Sequence, residues 1–258
     1  MIDSHCHLDF DAYDGRRDAV IDEAERAGVH TLITIGVDLD SSRRAVQIAE
    51  KHTSVYATVG IHPHDARTFD DETVTELREL SESEKVVGIG EIGLDYYRDL
   101  SPRPVQERVF RRQLELAAEL RLPVVIHTRN AFAETVAIVR EYAGRLAGGV
   151  FHCFPGDARD AGTVCDLGFV VSVGGTITYR NSRMARMAAK VPLDRMIMET
   201  DSPFLTPEPY RGKPNQPAYV SFVCEKLAEL QNVSRTEVAR VTDRVCRKLF
   251  RLGETFEG

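Results

Sequence analysis

The chain has no CxxC pair, and its five cysteines, Cys6, Cys153, Cys165, Cys224 and Cys246, are odd in number. That pattern argues against a disulfide framework and fits a reducing, cytoplasmic setting. No apolar run approaches the ~20 residues needed to span a bilayer. The start of the chain lacks a basic region followed by an apolar segment, so neither a secretory signal nor a membrane span is expected. Positive charge is also in short supply: 33 Lys and Arg stand against 40 Asp and Glu, for a net charge of −7. Proteins that coat duplex nucleic acid are usually basic. Any nucleic acid handled here is therefore expected at one mouth, held by metal and a few cationic side chains. The GxGxxG turn of a dinucleotide site is missing after the first candidate strand. The HxE and PCxxC signature of zinc deaminases is missing too, and no internal repeat, low-complexity tract or linker is found.

What is present is an alternation. The chain has 258 residues, 43% of them hydrophobic and 28% charged, the composition of an ordinary globular protein. Short runs rich in β-branched residues predict strands at Ile2–His7, His30–Gly36, Val55–Ile61, Val86–Glu91, Val124–His127, Val150–His152, Phe169–Val173 and Met196–Glu199. Helical spacing separates them. It is clearest over Pro104–Arg121, where Phe110, Leu114, Ala117 and Leu120 share a face and Pro104 suits a first turn. Further helices are expected at Arg16–Ala27, Ser41–Lys51, Asp71–Leu80, Phe132–Tyr142, Ala158–Leu167 and Ser182–Ala189, with Tyr219–Leu230 and Ser234–Leu252 closing the chain. Repeated strand–helix alternation without an Asn-Gly hairpin signal implies parallel strands. A (β/α)8 TIM barrel accounts for the number of strands and the length together, as a single catalytic domain over residues 1–258. An open doubly wound sheet is the rival. The proline-rich stretch Pro203–Pro217 reads as a rigid loop after the last strand.

The polar residues at the ends of these strands carry the chemistry. His5 and His7, in MIDSHCHLDF, point the same way on an extended backbone. Strand three runs into His62 and His64 of GIHPH, and strand four ends in Glu91. Strands five and six end in His127 and His152, and strand eight runs through Glu199 to Asp201. Six of the eight histidines fall at this face, where (β/α)8 barrels build their active sites; His30 and His52 lie elsewhere. Any one of these residues alone fits a hydrogen-bonded core position or a cap. Buried together, the carboxylates need cations, and only Arg129 is close by in sequence. Four imidazoles and two carboxylates exceed one tetrahedral zinc site, with its three protein ligands and a water. They suit two divalent ions, with Glu91 as the bridge, His5, His7 and Asp201 on one ion, and His127 and His152 on the other. Zinc, manganese and iron fit such mixed donors, and magnesium fits less well.

The motifs DSHCHLDF, GIHPHDA, GIGEIGLDYYR, PVVIHTRNA, FHCFPG and ETDSPFLTPEPYRGKPNQP together resemble the TatD family of metal-dependent hydrolases, which are amidohydrolase-type barrels known mostly as deoxyribonucleases. The resemblance runs from Ile2 to Pro217. It implies metal ligation by His5, His7, Glu91, His127, His152 and Asp201. It also implies phosphodiester hydrolysis by a two-metal-activated water, with Asp201 as general base, acting as a 3′-to-5′ exonuclease on single-stranded or frayed DNA. Other nucleic acids are conceivable substrates, and a monomer is expected. The chain departs from the family's pattern at Ile92, Asn130, Pro155, Pro214 and Gln216, none of them a ligand. His62 is assigned to phosphate contact or leaving-group protonation, and His64 either shares that role or orders its loop. Arg129, Arg211 and Lys213 are candidate phosphate contacts. Tyr96, Phe132, Tyr179 and Tyr210 are candidates for stacking on bases, or else pack beneath the loops. The alternative chemistry on the same site is hydrolysis of a carbonyl substrate, such as an aminoacyl-tRNA ester or a dipeptide.

Overall fold

A computed structural model describes residues 1–253 of the chain. Its eight strands are β1 (Ile2–Cys6), β2 (Thr31–Ile35), β3 (Val55–Val59), β4 (Val86–Asp95), β5 (Val124–Arg129), β6 (Gly149–Phe151), β7 (Val170–Val173) and β8 (Met196–Met198). They lie side by side in chain order, each paired in parallel with the next. The last strand meets the first through a parallel bridge between Cys6 and Ser202. There the Asp201 N–H donates to the His5 carbonyl (2.9 Å) and the His7 N–H to the Ser202 carbonyl (2.8 Å). Beneath them the buried Asp3 carboxylate accepts from the Thr200 hydroxyl (2.6 Å) and the Thr200 N–H (2.9 Å). The sheet is thus the nearly closed (β/α)8 barrel expected from the alternation.

Helices follow the strands one for one: α1 (Arg17–Arg26), α2 (Leu39–Lys51), α3 (Asp71–Leu80), α4 (Arg103–Leu120), α5 (Phe132–Tyr142), α6 (Ala158–Asp166) and α7 (Arg183–Ala188), with α8 (Val220–Gln231) and α9 (Arg235–Phe250) after β8. Their starts are set by caps. Asp38 accepts from the Ser41 N–H, so α2 begins at Leu39, two residues earlier than its spacing predicts. Asp70 with Thr73 and Asp157 with Asp160 form reciprocal capping boxes at α3 and α6. Strands β1, β2, β3 and β4 are buried along almost their whole length, because helices cover one face and the opposite strands the other.

The barrel interior is graded along its axis. At the N-terminal end Ile2, Ile33, Val87, Val125, Val150 and Ile197 pack against Cys246, Phe250 and Leu252, so α9 and the residues after it close that end. Side chains alternate with period two along a strand. The face that buries Val125 therefore presents His127 and Arg129 further on; that of Val150 presents His152; that of Ile197 presents Glu199 and Asp201. One register produces an apolar plug at one end and a polar rim at the other.

Strand β4 corrects one expected boundary. It runs on past Glu91 to Asp95, with Gly93, Leu94 and Asp95 paired to His127, Thr128 and Arg129. Gly93 makes this possible. Its φ is +144°, and a Cβ there would lie 2.0 Å from the His127 carbonyl oxygen. A side chain at that position would push β5, and with it His127, out of place. Gly93→Ala is expected to destabilise the fold by at least about 3 kcal/mol, read as a lower midpoint of urea unfolding. An unchanged midpoint contradicts the close approach.

Candidate metal centre

Glu91 lies at the middle of the polar rim, 3% exposed. Its Oε1 is 2.7 Å from His127 Nδ1, 2.8 Å from His152 Nε2 and 3.5 Å from His62 Nε2. Its Oε2 is 3.5 Å from His5 Nε2. Asp201 Oδ1 stands 3.3 Å from His7 Nε2 and 3.6 Å from His5 Nε2. Side chains from β1, β4, β5 and the ends of β6 and β8 therefore meet at one point. Three overlapping groups have donor atoms within 4.8 Å of one another: His5, His7 and Glu91; His5, His152 and Asp201; His62, Glu91 and His127. Asp201 adopts φ +55°, a left-handed conformation that non-glycine residues occupy at a cost and that tends to mark functional positions.

Contacts behind the cluster decide which ring nitrogens face it. His7 Nδ1 lies 3.3 Å from the Ile35 carbonyl, which can only accept, so this nitrogen carries the proton and Nε2 is free toward Asp201. His127 Nε2 lies 3.1 Å from Asp95 Oδ2, which leaves Nδ1 free toward Glu91. Asp95 is itself held by the N–H groups of Tyr97 (3.0 Å) and Arg98 (2.7 Å). His62 is the reverse case. Its Nδ1 accepts from the His64 N–H at 3.1 Å, so the proton of a neutral ring must sit on Nε2, the nitrogen facing Glu91. Such a ring is a poor ligand and a good hydrogen-bond donor. Glu199 accepts from the Cys153 N–H (2.7 Å) and the Ser172 hydroxyl (2.6 Å), and its Oε1 is 3.7 Å from His152 Nδ1.

The electrostatics favour a cation. Burial pushes the Glu91 carboxyl up, but the charge of His152 and the hydrogen bonds of His127 and His152 outweigh it and hold the group well below the usual carboxylate range. Asp201 is likewise held low against its burial by His7 and His5. Burial drives the His62 imidazole well below its ordinary value, so it stays neutral. The most telling residue is His5. Its ring is 1% exposed, and neither nitrogen has a hydrogen-bond partner among the described residues. A buried polar group left unsatisfied costs roughly 1–3 kcal/mol. A divalent ion between His5 Nε2, Glu91 and Asp201 would remove that deficit at Nε2. On the other side, His127 Nδ1 and His152 Nε2 stand 3.3 Å apart and both face Glu91 Oε1; Glu91 holds protons on these rings, and a second cation would take their place. The donor set of imidazole and carboxylate fits zinc, manganese or iron.

The structure brings His5, His7, Glu91, His127, His152 and Asp201 into one cluster and adds His62 to it. His64 stands one step back, its Nε2 3.0 Å from Asp95 Oδ2. Arg129 covers one face of Tyr97 at 3.9 Å. Arg211 lies over Tyr179 and 3.8 Å from Glu208, and Lys213 lies over Tyr210, both on the loop after β8. Sequence reasoning missed Asp95 and Glu199 as supports. Their signal was parity: Asp95 shares the face of Glu91 and Gly93, and Glu199 that of Asp201. The four aromatics that are candidates either for stacking on bases or for packing beneath the loops all have partners within the protein. The Tyr96 hydroxyl donates to Glu107, Phe132 packs against Phe151 and Phe154, the Tyr179 hydroxyl donates to the Thr206 carbonyl, and Tyr210 stacks on Tyr219.

Comparison with known proteins gives a consistent result. Residues 2–251 match the family described as TatD related DNase. The chain is 40% identical over 253 residues to the uncharacterized metal-dependent hydrolase YabD of Bacillus subtilis, covering 98% of this chain and 99% of that protein. It is 33% identical over 256 residues to the 3′-5′ ssDNA/RNA exonuclease TatD of Cronobacter sakazakii, covering 97% of each. Among solved structures, the TatD homologue YJJV of Escherichia coli K12 superposes with a TM-score of 0.92 at 32% identity, over 98% of each chain.

The support given to His127 generates a test. Asp95→Asn removes the charge that orients the ring and lets the amide donate to Nε2. One divalent ion is expected to bind about 10- to 100-fold more weakly, measured by calorimetric titration of metal-free protein. Unchanged affinity contradicts the role of Asp95.

Proposed function

The chain belongs to the TatD family of metal-dependent hydrolases, and from that premise we propose that it hydrolyses phosphodiester bonds of single-stranded nucleic acid from a 3′ end. His5, His7, Glu91 and Asp201 would hold one divalent ion, and Glu91, His127 and His152 a second. The observation that carries this reading is the buried, partnerless His5 ring facing two carboxylates held ionised. When bound, such ions would supply Lewis acidity, easing deprotonation of water and offsetting charge on the phosphoryl oxygens.

The remaining work falls to the protein's own groups. Asp201, 13% exposed at its side chain, is the carboxylate at the rim with room for a proton. It takes one from the attacking water as the new oxygen–phosphorus bond forms in line with the bond that breaks. The departing sugar oxygen leaves on the far side of the phosphorus and takes its proton from solvent water, and Asp201 releases the proton it took to solvent. His62 contributes a hydrogen bond from Nε2 to a phosphoryl oxygen. Because its imidazole is neutral, it donates a hydrogen bond and not a proton, as a fixed dipole aimed at developing charge. Of the two roles considered for His62, this favours phosphate contact over acid catalysis.

Incubation of end-labelled single-stranded oligonucleotides with Mg²⁺ or Mn²⁺ is expected to release mononucleotides from the 3′ end, and chelation to stop the release. Faster turnover of an aminoacyl ester or dipeptide than of any oligonucleotide would overturn the reading in favour of a carbonyl substrate. His127→Ala and Asp201→Asn should each lower kcat at least ~100-fold; release that persists in both variants would indicate a contaminant.

The part played by His62 is separable. His62→Ala is expected to cost roughly 100- to 1,000-fold in kcat, by the same factor for a nitrophenyl leaving group as for a nucleoside. A loss seen only with the nucleoside leaving group would instead make His62 a general acid.

A further inference from the structure

Among the described residues, the large hydrophobic side chains left exposed are Tyr97 (59%), Leu100 (55%), Phe204 (48%) and Val233 (39%). Exposed apolar residues scattered singly need no explanation. These are not scattered, since three of the four follow β4 or β8 at the rim that holds the histidines. In a barrel whose strands run in chain order, the ends of β4 and β8 lie across the mouth from each other, with the metal cluster between them.

Each exposed ring is fastened to one half of that cluster. The Phe204 N–H donates to the Asp201 carbonyl (2.9 Å). Its ring stands edge-on to Phe10 at 5.8 Å and to His7 at 6.1 Å, and Phe10 stacks on His7 at 4.7 Å. On the other side the Tyr97 N–H donates to Asp95, the carboxylate that orients His127. Arg129 covers one face of the Tyr97 ring at 3.9 Å, leaving the other to solvent. Phe204 thus stands beside the His5–His7 half, and Tyr97 is fixed through its backbone to the carboxylate behind the His127 half. Both rings are held in place with a face unused, which is the condition for a stacking platform. Arg98 and Arg129 beside Tyr97, and Arg211 and Lys213 on the Phe204 loop, are exposed and supply the opposite charge to a phosphate backbone.

We infer that Phe204 and Tyr97 stack on the bases flanking the bond to be cleaved, one on each side, so that only a strand with unpaired bases at that point seats its phosphate over Glu91. This rests on the phosphodiesterase reading and goes beyond it. Selection of single strands then comes from two aromatic faces and not from sequence-specific contacts. Every base has a π-face, so the preference among bases is weak.

The test uses short single-stranded DNA carrying one abasic tetrahydrofuran residue, placed on either side of the bond cleaved. For the unaltered protein, each abasic position is expected to raise KM about 5- to 100-fold, the worth of one base stack. Phe204→Ala and Tyr97→Ala should raise KM similarly for the intact strand. Each variant should then lose the penalty at one abasic position and keep it at the other. Phe204→Leu and Tyr97→Leu, which retain apolar bulk without a π-face, should behave like the alanine variants. A role confined to packing lowers kcat and leaves both abasic penalties in place, and that result overturns the inference. Equal cleavage of intact and abasic strands by the unaltered protein overturns it as well. If the unaltered protein cleaves no strand at all, the phosphodiesterase reading itself falls, a different and recognisable outcome.

Discussion

A carboxylate buried among imidazoles is the constraint around which the rest of this molecule is arranged. Glu91 is almost wholly withdrawn from water, yet its neighbours hold it ionised. A lone buried carboxylate would be neutral or costly. Four rings approach it within 3.5 Å. Three of them are steered from behind or from the side: His127 by Asp95, and His62 by the His64 backbone, while His152 stands near Glu199. The steering differs in kind. A carboxylate behind a ring turns a lone pair toward the centre, whereas a backbone N–H behind a ring turns a proton toward it. Two neighbouring histidines of similar appearance thereby acquire opposite capacities: His127 can ligate, and His62 can donate.

The barrel supplies the precision this arrangement needs. The donors come from widely separated parts of the chain, and only the closure of β8 onto β1 brings Asp201 to His5 and His7. That seam is short in conventional pairing, with a single bridge between Cys6 and Ser202. Buried side-chain bonds from the Thr200 hydroxyl to Asp3 and from the Ser4 hydroxyl to the Met198 carbonyl reinforce it. The C-terminal helix α9 fills the opposite end with Phe250 and Cys246, so the polar rim rests on a packed apolar floor. Fold stability and site geometry are therefore supplied by different ends of the same strands.

Much of this was legible in the residues. Short apolar runs rich in β-branched residues and 3.6-residue patterns located all eight strands and the helices between them, because a buried parallel strand and an amphipathic helix differ in both length and spacing. The histidines and carboxylates at successive strand ends had to converge once the strands closed in order. Three things were hidden. Glu91 reads as the end of β4, but a glycine without a Cβ lets the strand continue alongside β5 to Asp95, and so the carboxylate behind His127 went unnoticed. The same happened at Glu199, which reads as a step on the way to Asp201. Which aromatics stay free could not be read from position. Tyr96 and Tyr97 are adjacent in sequence, yet only the side chain of the second is left without a hydrogen-bonded anchor, because Glu107 on α4 takes the hydroxyl of the first. Such outcomes depend on tertiary neighbours that no local pattern contains.

The claim at the centre is that Glu91 is shared by two cations. It is tested most directly by anomalous diffraction from crystals grown with Mn²⁺ or Zn²⁺. Two peaks about 3.5–4 Å apart, one beside each Glu91 oxygen, are the result expected. A single peak, or a pair of peaks to which Glu91 contributes no oxygen, would contradict it.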